Sequence, residues 1–460
     1  MERFDVAIVG GGPAGSSAAH AAASRGASAV VLERGVPRAD RPDRLGPDST
    51  DAAGILDYWV DIMGIHPDEM PEGVVLSQLD RAEFVGPTES LTLRKTGIES
   101  SYDEFGYCFH RAKFDDWLRD RAEAEGATYR VKASVRDVET DLDGDGPRHV
   151  VRLANGEDVE ADHVVLADGP QRTVTNRVLD RFLPFDVTDR LATTKVNHIA
   201  YQEHRRLPPD VYDEVAGAIK FWWGYIPGHT AYPWIFPNDE NVARIGLTMP
   251  IGLNIDDVAD REKYALLRDD DERIPRGGEY VRRLLEREYG DEYDVDEEFP
   301  LVEDRGKTKG TETYAISSTR PIDSPTRAGI AVVGGAMGAT SAFHEGGDHV
   351  AVRTGAIAGE LAAGGDLSSY NARWKEAIGE EVHRNVAFAD VVRDYGPDDW
   401  DWAFSTARKL QTESGGIRAF DATKIGAGLN AARLVGSYKK TKFKYRRGKY
   451  VQLRESEYTI

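Results

Sequence analysis

Three glycines and one carboxylate carry the first recognisable chemistry in this chain. Gly10, Gly12 and Gly15 stand in VGGGPAG as G-x-G-x-x-G, and Glu33 follows eighteen residues after Gly15. In that pattern the first glycine permits a tight turn, the second lets a pyrophosphate approach the backbone, and the third lets a helix lie close to a sheet. The helix offers its N-terminal N–H groups to the anion, and the acid accepts ribose hydroxyls. The elements that must position these residues stand in order. Phe4 to Val9 branches and alternates like a buried strand, Ala14 to Arg25 is an alanine-rich helix, and Ser28 to Leu32 is a second strand. A complete βαβ unit ending in an acid is far more specific than the glycines alone.

A second candidate lies at Asp168-Gly169, where the run ADHVVLADG empties into a loop at the carboxyl edge of a sheet, the edge at which ligands of open α/β sheets gather. A third is aromatic. Phe221, Trp222, Trp223, Tyr225, Tyr232, Trp234 and Phe236 fall on successive strands, and alternation lets only about half of them face one pocket. His110, His198, His229, His344 and Cys108 are candidate proton donors by location, with no pattern that selects among them.

Composition bounds the rest. At 460 residues the chain has room for two or three domains. Acidic residues number 79 against 58 basic ones, for a net charge of −21, and the basic residues divide into 16 lysines and 42 arginines. Such a surface suits high salt, hence a halophilic source, and argues against nucleic-acid binding. The single cysteine, Cys108, excludes an intramolecular disulfide and any all-cysteine metal or iron–sulfur site within the chain. The first strand begins at once, leaving no room for a signal peptide, and no apolar run approaches a membrane span. The expectation is a cytoplasmic protein, soluble or peripheral at the inner face of the cell membrane.

Along the chain, the polar stretch RGVPRADRPDRLGPDSTD reads as a loop leading from the nucleotide site toward the reacting centre. A helix is expected over Asp51 to Met63, short strands over Val74 to Leu93, a brief strand at Tyr107 to His110 and a helix over Lys113 to Glu125. Thr128 to Arg136, His149 to Leu153 and Val159 to Leu166 read as strands, the last two joined at Asn155-Gly156. From Ala192 to Met249 successive strands with hairpin turns predict an antiparallel meander. The charged residues Asp256 to Glu298 read as solvated helices over that sheet. Ala328 to Val333 is a buried strand that returns to the first domain, and from Ser368 the chain is helical, ending in a basic, aromatic tail. Gly426-Ala-Gly428-x-x-Ala431 follows no strand and reads as helix packing rather than a second dinucleotide site.

Four segments in this order resemble the geranylgeranyl reductase family of flavoproteins, which share their fold with p-hydroxybenzoate hydroxylase. They are VGGGPAGSSAA with Glu33-Arg34, the R-x-x-F-D helix with Arg111, Phe114 and Asp115, LADG at Leu166 to Gly169, and PGHTAYPWIFPNDENVARIGL with Tyr232, Trp234, Phe236 and Pro237. The last is the discriminating motif, and the resemblance spans roughly residues 1 to 360. It implies an α/β chain, α+β overall. A Rossmann-like FAD-binding domain (1–70, 105–180 and 310–365) would carry an inserted antiparallel substrate sheet (71–104 and 181–309) and a C-terminal helical region (366–460).

The resemblance also implies FAD as cofactor, held by Gly10, Gly12, Ala14, Gly15, Glu33, Arg34, Arg111, Asp168, Gly169, Gly335, Gly338 and Gly347. Tyr232, Trp234 and Phe236 would form the catalytic pocket. Where the superfamily ends its late strand in Gly-Asp, this chain has Gly334-Gly335, the loss of a hydrogen bond typically worth ~1.5–3 kcal/mol. The glutamate often found before the following helix is displaced to Glu345. The implied reaction saturates C=C bonds of an isoprenoid lipid, archaeal-type or a prenylated quinone. Electrons come from a diffusing donor: ferredoxin, reduced nicotinamide or deazaflavin. The tail between Tyr438 and Tyr450, with Lys439, Lys440, Lys442, Lys444, Arg446, Arg447 and Lys449, is expected to touch the membrane surface, the competing expectation being an arm packed on the acidic body. Two other readings stand beside this one. Trp222-x-Gly224-x-Ile226-Pro227 partly matches the W-x-W-x-I-P signature of flavin-dependent halogenases, for an aromatic hydroxylase or halogenase; Gly335 motivates a non-catalytic lipid-binding protein that has lost its flavin.

Overall fold

The computed structural model describes residues 1–36, 54–143, 146–189, 191–192, 197–317, 319–411 and 429–460. Its first sheet grows from the βαβ unit. Glu2–Val9 pairs in parallel with Ala29–Leu32 on one side and Val159–Leu166 on the other. Thr128–Arg130 extends the sheet beyond Ala29–Leu32. Val159–Leu166 then serves two branches: its first half takes the antiparallel strand Arg148–Leu153, and its second half takes Ile330–Val332 in parallel. The late strand thus comes back beside LADG and delivers its glycine-rich turn to the same edge as Gly10. The single strand expected over Thr128 to Arg136 is two, because Lys132 adopts φ +56 and turns the chain out of the parallel sheet before Val135–Asp141 joins Arg148–Leu153.

The helices Pro13–Ala23 and Asp348–Ala363 lie against each other at unusually short range. A Cβ on Gly355 or Gly359 would fall 2.0 Å from the carbonyl oxygen of Ala14 or Ala18, so only glycine allows this approach.

The second sheet runs in the order Thr311–Ser317, Asn197–Arg206, Val242–Pro250, Tyr232–Pro237, Ala218–Trp222, Arg81–Val85 and Ser90–Leu93, antiparallel except where Ala218–Trp222 meets Arg81–Val85. It is not a simple meander. Asn197–Arg206 pairs with Val242–Pro250 rather than with the next strand, and a helix, Pro209–Val215, fills the excursion. Thr311–Ser317 pairs with Asn197–Arg206 over seven positions, so the chain leaves this sheet after residue 317, not at 310. Helices Gly277–Tyr289 and Pro209–Val215 cover one face, and Tyr280, Leu284 and Leu285 share a buried cluster there with Trp222, Ile235 and Leu247.

One other expectation needs correction, and the tail in part adopts one of the two arrangements expected of it. Within Asp51 to Met63 the helix occupies Asp57–Met63; Gly54–Leu56 is a strand paired with Gly106–Phe109, which also takes Val75–Leu79. The absent side chain of Gly106 admits the Ile55 carbonyl, which would lie 2.4 Å from a Cβ there. The tail is a packed arm in its aromatic residues: Tyr438, Tyr445 and Tyr450 are buried, together with Val451, Leu453 and Tyr458 beyond them. Helix Leu429–Lys444 lies along Tyr370–Val391, tied by ion pairs from Lys442 to Glu380 and from Lys444 to Asp390. Phe443 alone of the tail's aromatics is exposed. Most of the loop expected after Glu33, from residue 37, and Gly426 and Gly428 lie outside the described residues. Among the described residues no helix is long and apolar enough to cross a membrane.

Candidate active site

At the carboxyl edge of the first sheet the glycines divide by function. A Cβ on Gly15 would lie 1.9 Å from the Gly10 carbonyl oxygen, and one on Gly10 would lie 2.5 Å from that of Ala167, so these two close the turn onto the helix and the neighbouring strand. Among the described residues a Cβ on Gly12 meets no atom within 4 Å, and neither does one on Gly169, across the edge at φ +74. The space between them is bounded by backbone at the N-terminus of an eleven-residue helix, which suits a pyrophosphate. Glu33 turns toward the same crevice, where its carboxylate accepts the N–H groups of Gly11 at 2.7 Å and Gly35 at 2.6 Å. Arg34 is exposed beside it.

The other expected cofactor residues play mixed parts. Asp168 spends its carboxylate on the N–H groups of Val174 and Thr175 and the Thr175 hydroxyl, capping the short helix after it, so Gly169 faces the crevice through its backbone. Ala14 backs onto Gly334 and Gly355. Arg111 is buried between Asp115, 2.7 Å away on its own helix, and Asp348, 3.1 Å away in the first turn of Asp348–Ala363. It orients that helix, whose N-cap is Gly347. A Cβ on Gly335 would press on Pro170 Cδ at 3.1 Å. Gly338, at φ +79, backs onto Arg172.

Sequence reasoning missed Arg172. Fully buried, it donates to the carbonyls of Ala336 and Leu191 and to the Ser317 hydroxyl, joining the glycine-rich turn to the end of the second sheet. Burial pulls its guanidinium down to about 10, partly offset by Asp168, so it stays charged at neutral pH.

The face of the second sheet turned away from helix Gly277–Tyr289 is aromatic. Tyr232, Trp234 and Phe236 alternate onto it, and Phe221 and Trp223 join them. Trp222 and Tyr225 point the other way, into the helix-covered core. Trp223 packs 4.3 Å from Tyr232 and 4.4 Å from Trp400, and stacks on Phe343 at 5.4 Å. Trp234 lies across Gly246 of the adjacent strand, where a Cβ would meet its ring at 2.7 Å. Each of the motif's three aromatics is nearly closed to solvent. The Tyr232 hydroxyl is engaged, donating to the His344 carbonyl at 2.9 Å, and burial together with Glu345 raises it well above the usual phenol range. Its proton is committed to that carbonyl.

The candidate donors separate by environment. Cys108 is wholly buried, its thiol pushed up to about 12. His344 is pulled down to about 3 by burial and sits in a polar knot that the sequence did not signal: its Nε2 lies 3.2 Å from Asn385 and 3.4 Å from Glu381, while Trp59 stacks on His349 at 4.2 Å. His110 is buried at the start of helix Arg111–Ala124. His229 is half-buried and bonds the Ala389 carbonyl at 3.0 Å. His198 is buried against Glu345, their nearest atoms 2.5 Å apart.

Similarity to known proteins follows this geometry. A family model described as an FAD-binding domain matches residues 5–40, and one described as tryptophan halogenase matches residues 76–227. The digeranylgeranylglycerophospholipid reductase 2 of Methanothermobacter thermautotrophicus is 26% identical over 411 residues, covering 87% of this chain and 90% of that protein. A geranylgeranyl bacteriochlorophyll reductase-like protein from Thermoplasma acidophilum superposes with a TM-score of 0.68 at 21% identity, over 97% of this chain and 99% of that one. A flavin-dependent brominase superposes with a TM-score of 0.58 at 15% identity, over 95% and 99%. The fold and the crevice define an FAD-dependent flavoprotein of the Rossmann type. Within that class the chain resembles the geranylgeranyl reductases over most of its length.

Proposed function

We propose that this chain is an FAD-dependent reductase that saturates C=C bonds in the geranylgeranyl or related isoprenoid chains of archaeal-type membrane lipids, or of a prenylated quinone. The observation that carries the reading is the closed aromatic face built by Tyr232, Trp234, Phe236, Phe221 and Trp223 beside the glycine-rich return of the first domain. Reduced FAD supplies a hydride to such a bond. Gly12 and Gly169 leave room for the pyrophosphate, Glu33 stands at the ribose end, and helix Asp348–Ala363 aims its positive end at the crevice, favouring negative charge there. The aromatic face excludes water and offers ring quadrupoles to the positive character that develops on the alkene carbons.

Trp234 tests the pocket. Trp234→Phe keeps most of the packing and is expected to retain full flavin occupancy while lowering lipid turnover roughly 10-fold, the scale of a desolvated cation–π contact. Trp234→Ala costs in addition ~3–5 kcal/mol of stability, read as a lower Tm, because the side chain is core. Wild-type turnover in Trp234→Phe would remove the residue from the pocket.

The halogenase reading rests on the match over residues 76–227. Against it, the position of the second signature tryptophan is Gly224, at φ +78, where a Cβ would lie 3.0 Å from Pro397, and Trp222 faces away from the aromatic cluster. Electrons reach the flavin from a diffusing donor of the ferredoxin, nicotinamide or deazaflavin kind. Bilayer contact, where the lipid is collected, falls to the exposed side chains of the tail, Phe443 with Lys439, Lys440, Arg446, Arg447 and Lys449, whose charge attracts anionic lipid at ~1 kcal/mol each at moderate salt.

A further inference from the structure

The contact between His198 and Glu345 serves neither the nucleotide crevice nor the aromatic packing. Nδ1 of His198 lies 2.5 Å from Oε1 of Glu345, with the two side chains 7% and 3% exposed. Beyond that approach neither oxygen of Glu345 has a hydrogen-bond partner among the described residues. Natural cores rarely leave a buried carboxylate so short of donors. Glu345 also sits at φ +57, a conformation costly outside glycine although Gly346 and Gly347 follow directly. Strain and missing donors together mark a group kept for chemistry rather than for folding.

Its position fits one task. Glu345 lies three residues before helix Asp348–Ala363, in the loop whose Phe343 stacks on Trp223 and whose His344 carbonyl receives the Tyr232 hydroxyl. His198 enters from the strand Asn197–Arg206, on the same face as Ala200 and the Tyr232–Trp234 row. The ring of the half-buried His229 stands edge-on to that of His198, centroids 6.4 Å apart. The titratable groups whose charge reaches Glu345 are Tyr232 and Tyr314 from the sheet, His229 from the turn after Ala218–Trp222, and His344 from its own loop; Arg393 faces His229 and Arg384 faces His344.

We propose that Glu345 delivers the proton of C=C reduction, that His198 reloads it, and that His229 connects the pair to solvent. The proposal rests on the reductase reading. A hydride passes from the reduced cofactor to one alkene carbon, the π electrons form a C–H bond to the other carbon using the Glu345 proton, and the carboxylate left behind is reprotonated from the His198 imidazolium. The cofactor is oxidised by two electrons, the alkene is reduced, and the one proton consumed comes from water through His229. Glu345 meets substrate; His198 and His229 are positioning residues that act through it.

The test compares holoenzyme and its Glu345→Gln and His198→Asn variants, photoreduced without oxygen and mixed with geranylgeranyl phospholipid. Single-turnover reduction is expected to fall about 100-fold or more in Glu345→Gln, the scale of a general acid, and to lose the alkaline limb of its pH profile. Reoxidation by ferricyanide, which needs no protein proton, stays at the wild-type rate. In ¹⁵N-imidazole spectra the His198 Nδ1 resonance is expected to move in Glu345→Gln, because the carboxylate 2.5 Å away is replaced by an amide, a readout independent of turnover. Unchanged single-turnover rates and an unmoved His198 Nδ1 resonance overturn the proposal. If Glu345→Gln fails to hold flavin, His198→Asn carries the comparison, and a wild-type pH profile there is equally contrary. A wild-type enzyme that reduces no prenyl lipid is a distinct failure, that of the reductase reading itself.

Discussion

Gly12→Val is expected to fold normally and to purify colourless. The side chain enters space in which no atom of the described residues lies within 4 Å of its Cβ, so the fold is expected to tolerate it. The same space is where the pyrophosphate must approach the backbone, and a branched side chain there removes the cofactor site outright. Gly15→Val is the informative contrast: its Cβ falls 1.9 Å from the Gly10 carbonyl oxygen, so the helix must leave the sheet and the fold itself suffers. Absorbance at 450 nm together with a thermal melt separates the two. Flavin-loaded Gly12→Val protein would mean that the cofactor approaches the chain elsewhere.

That contrast also marks what the sequence makes legible. The βαβ unit can be read because its signals are contiguous and agree: branched strand, spaced glycines, alanine-rich helix, acid. The aromatic face can be read in outline, since alternation in Tyr232-x-Trp234-x-Phe236 puts all three on one side, and the structure sends Trp222 and Tyr225 to the other. Long-range pairings are another matter. His198 meets Glu345, and Arg172 reaches Ala336 and Ser317, because the chain folds back from the second sheet to the first; no local period announces either contact. Asp168 carries the right letters at the right edge, yet the helix that follows takes its carboxylate as a cap, and its competing partner Thr175 looks unremarkable in sequence. The tail shows how charge can mask packing. Tyr438 and Tyr445 are seven residues apart, a spacing that puts both on one side of a helix, and both pack on the body together with the ion pairs of Lys442 and Lys444, while Lys439 and Lys440 face outward.

Truncation after Gly436 is expected to unfold the protein. The lost segment contributes six buried side chains, Tyr438, Tyr445, Tyr450, Val451, Leu453 and Tyr458, and a backbone bridge from Leu453 to Ile322, which leads into the late strand of the first sheet. Burial of each is worth ~1.5–3 kcal/mol, together comparable with the ~5–15 kcal/mol that typically separates native from unfolded domains. The truncated chain should therefore be aggregated or protease-sensitive and should bind no FAD. A soluble truncated protein with the melting temperature of the full chain would contradict the packed arm. Membrane attachment is better probed with the fold intact, by reversing Lys439, Lys440, Arg446, Arg447 and Lys449 to glutamate; flotation with anionic vesicles should be lost while the melt is preserved.

The most direct test of the reductase assignment is a single anaerobic turnover. Protein reduced to the two-electron level is mixed with a digeranylgeranyl phospholipid, and flavin absorbance and lipid mass are followed together. The account predicts that absorbance at 450 nm returns without oxygen, at the rate at which lipid two mass units heavier accumulates, one saturated bond for each flavin reoxidised. Reduced flavin that persists in the presence of the lipid, and is reoxidised only when oxygen arrives with an aromatic substrate that becomes hydroxylated or halogenated, would contradict it.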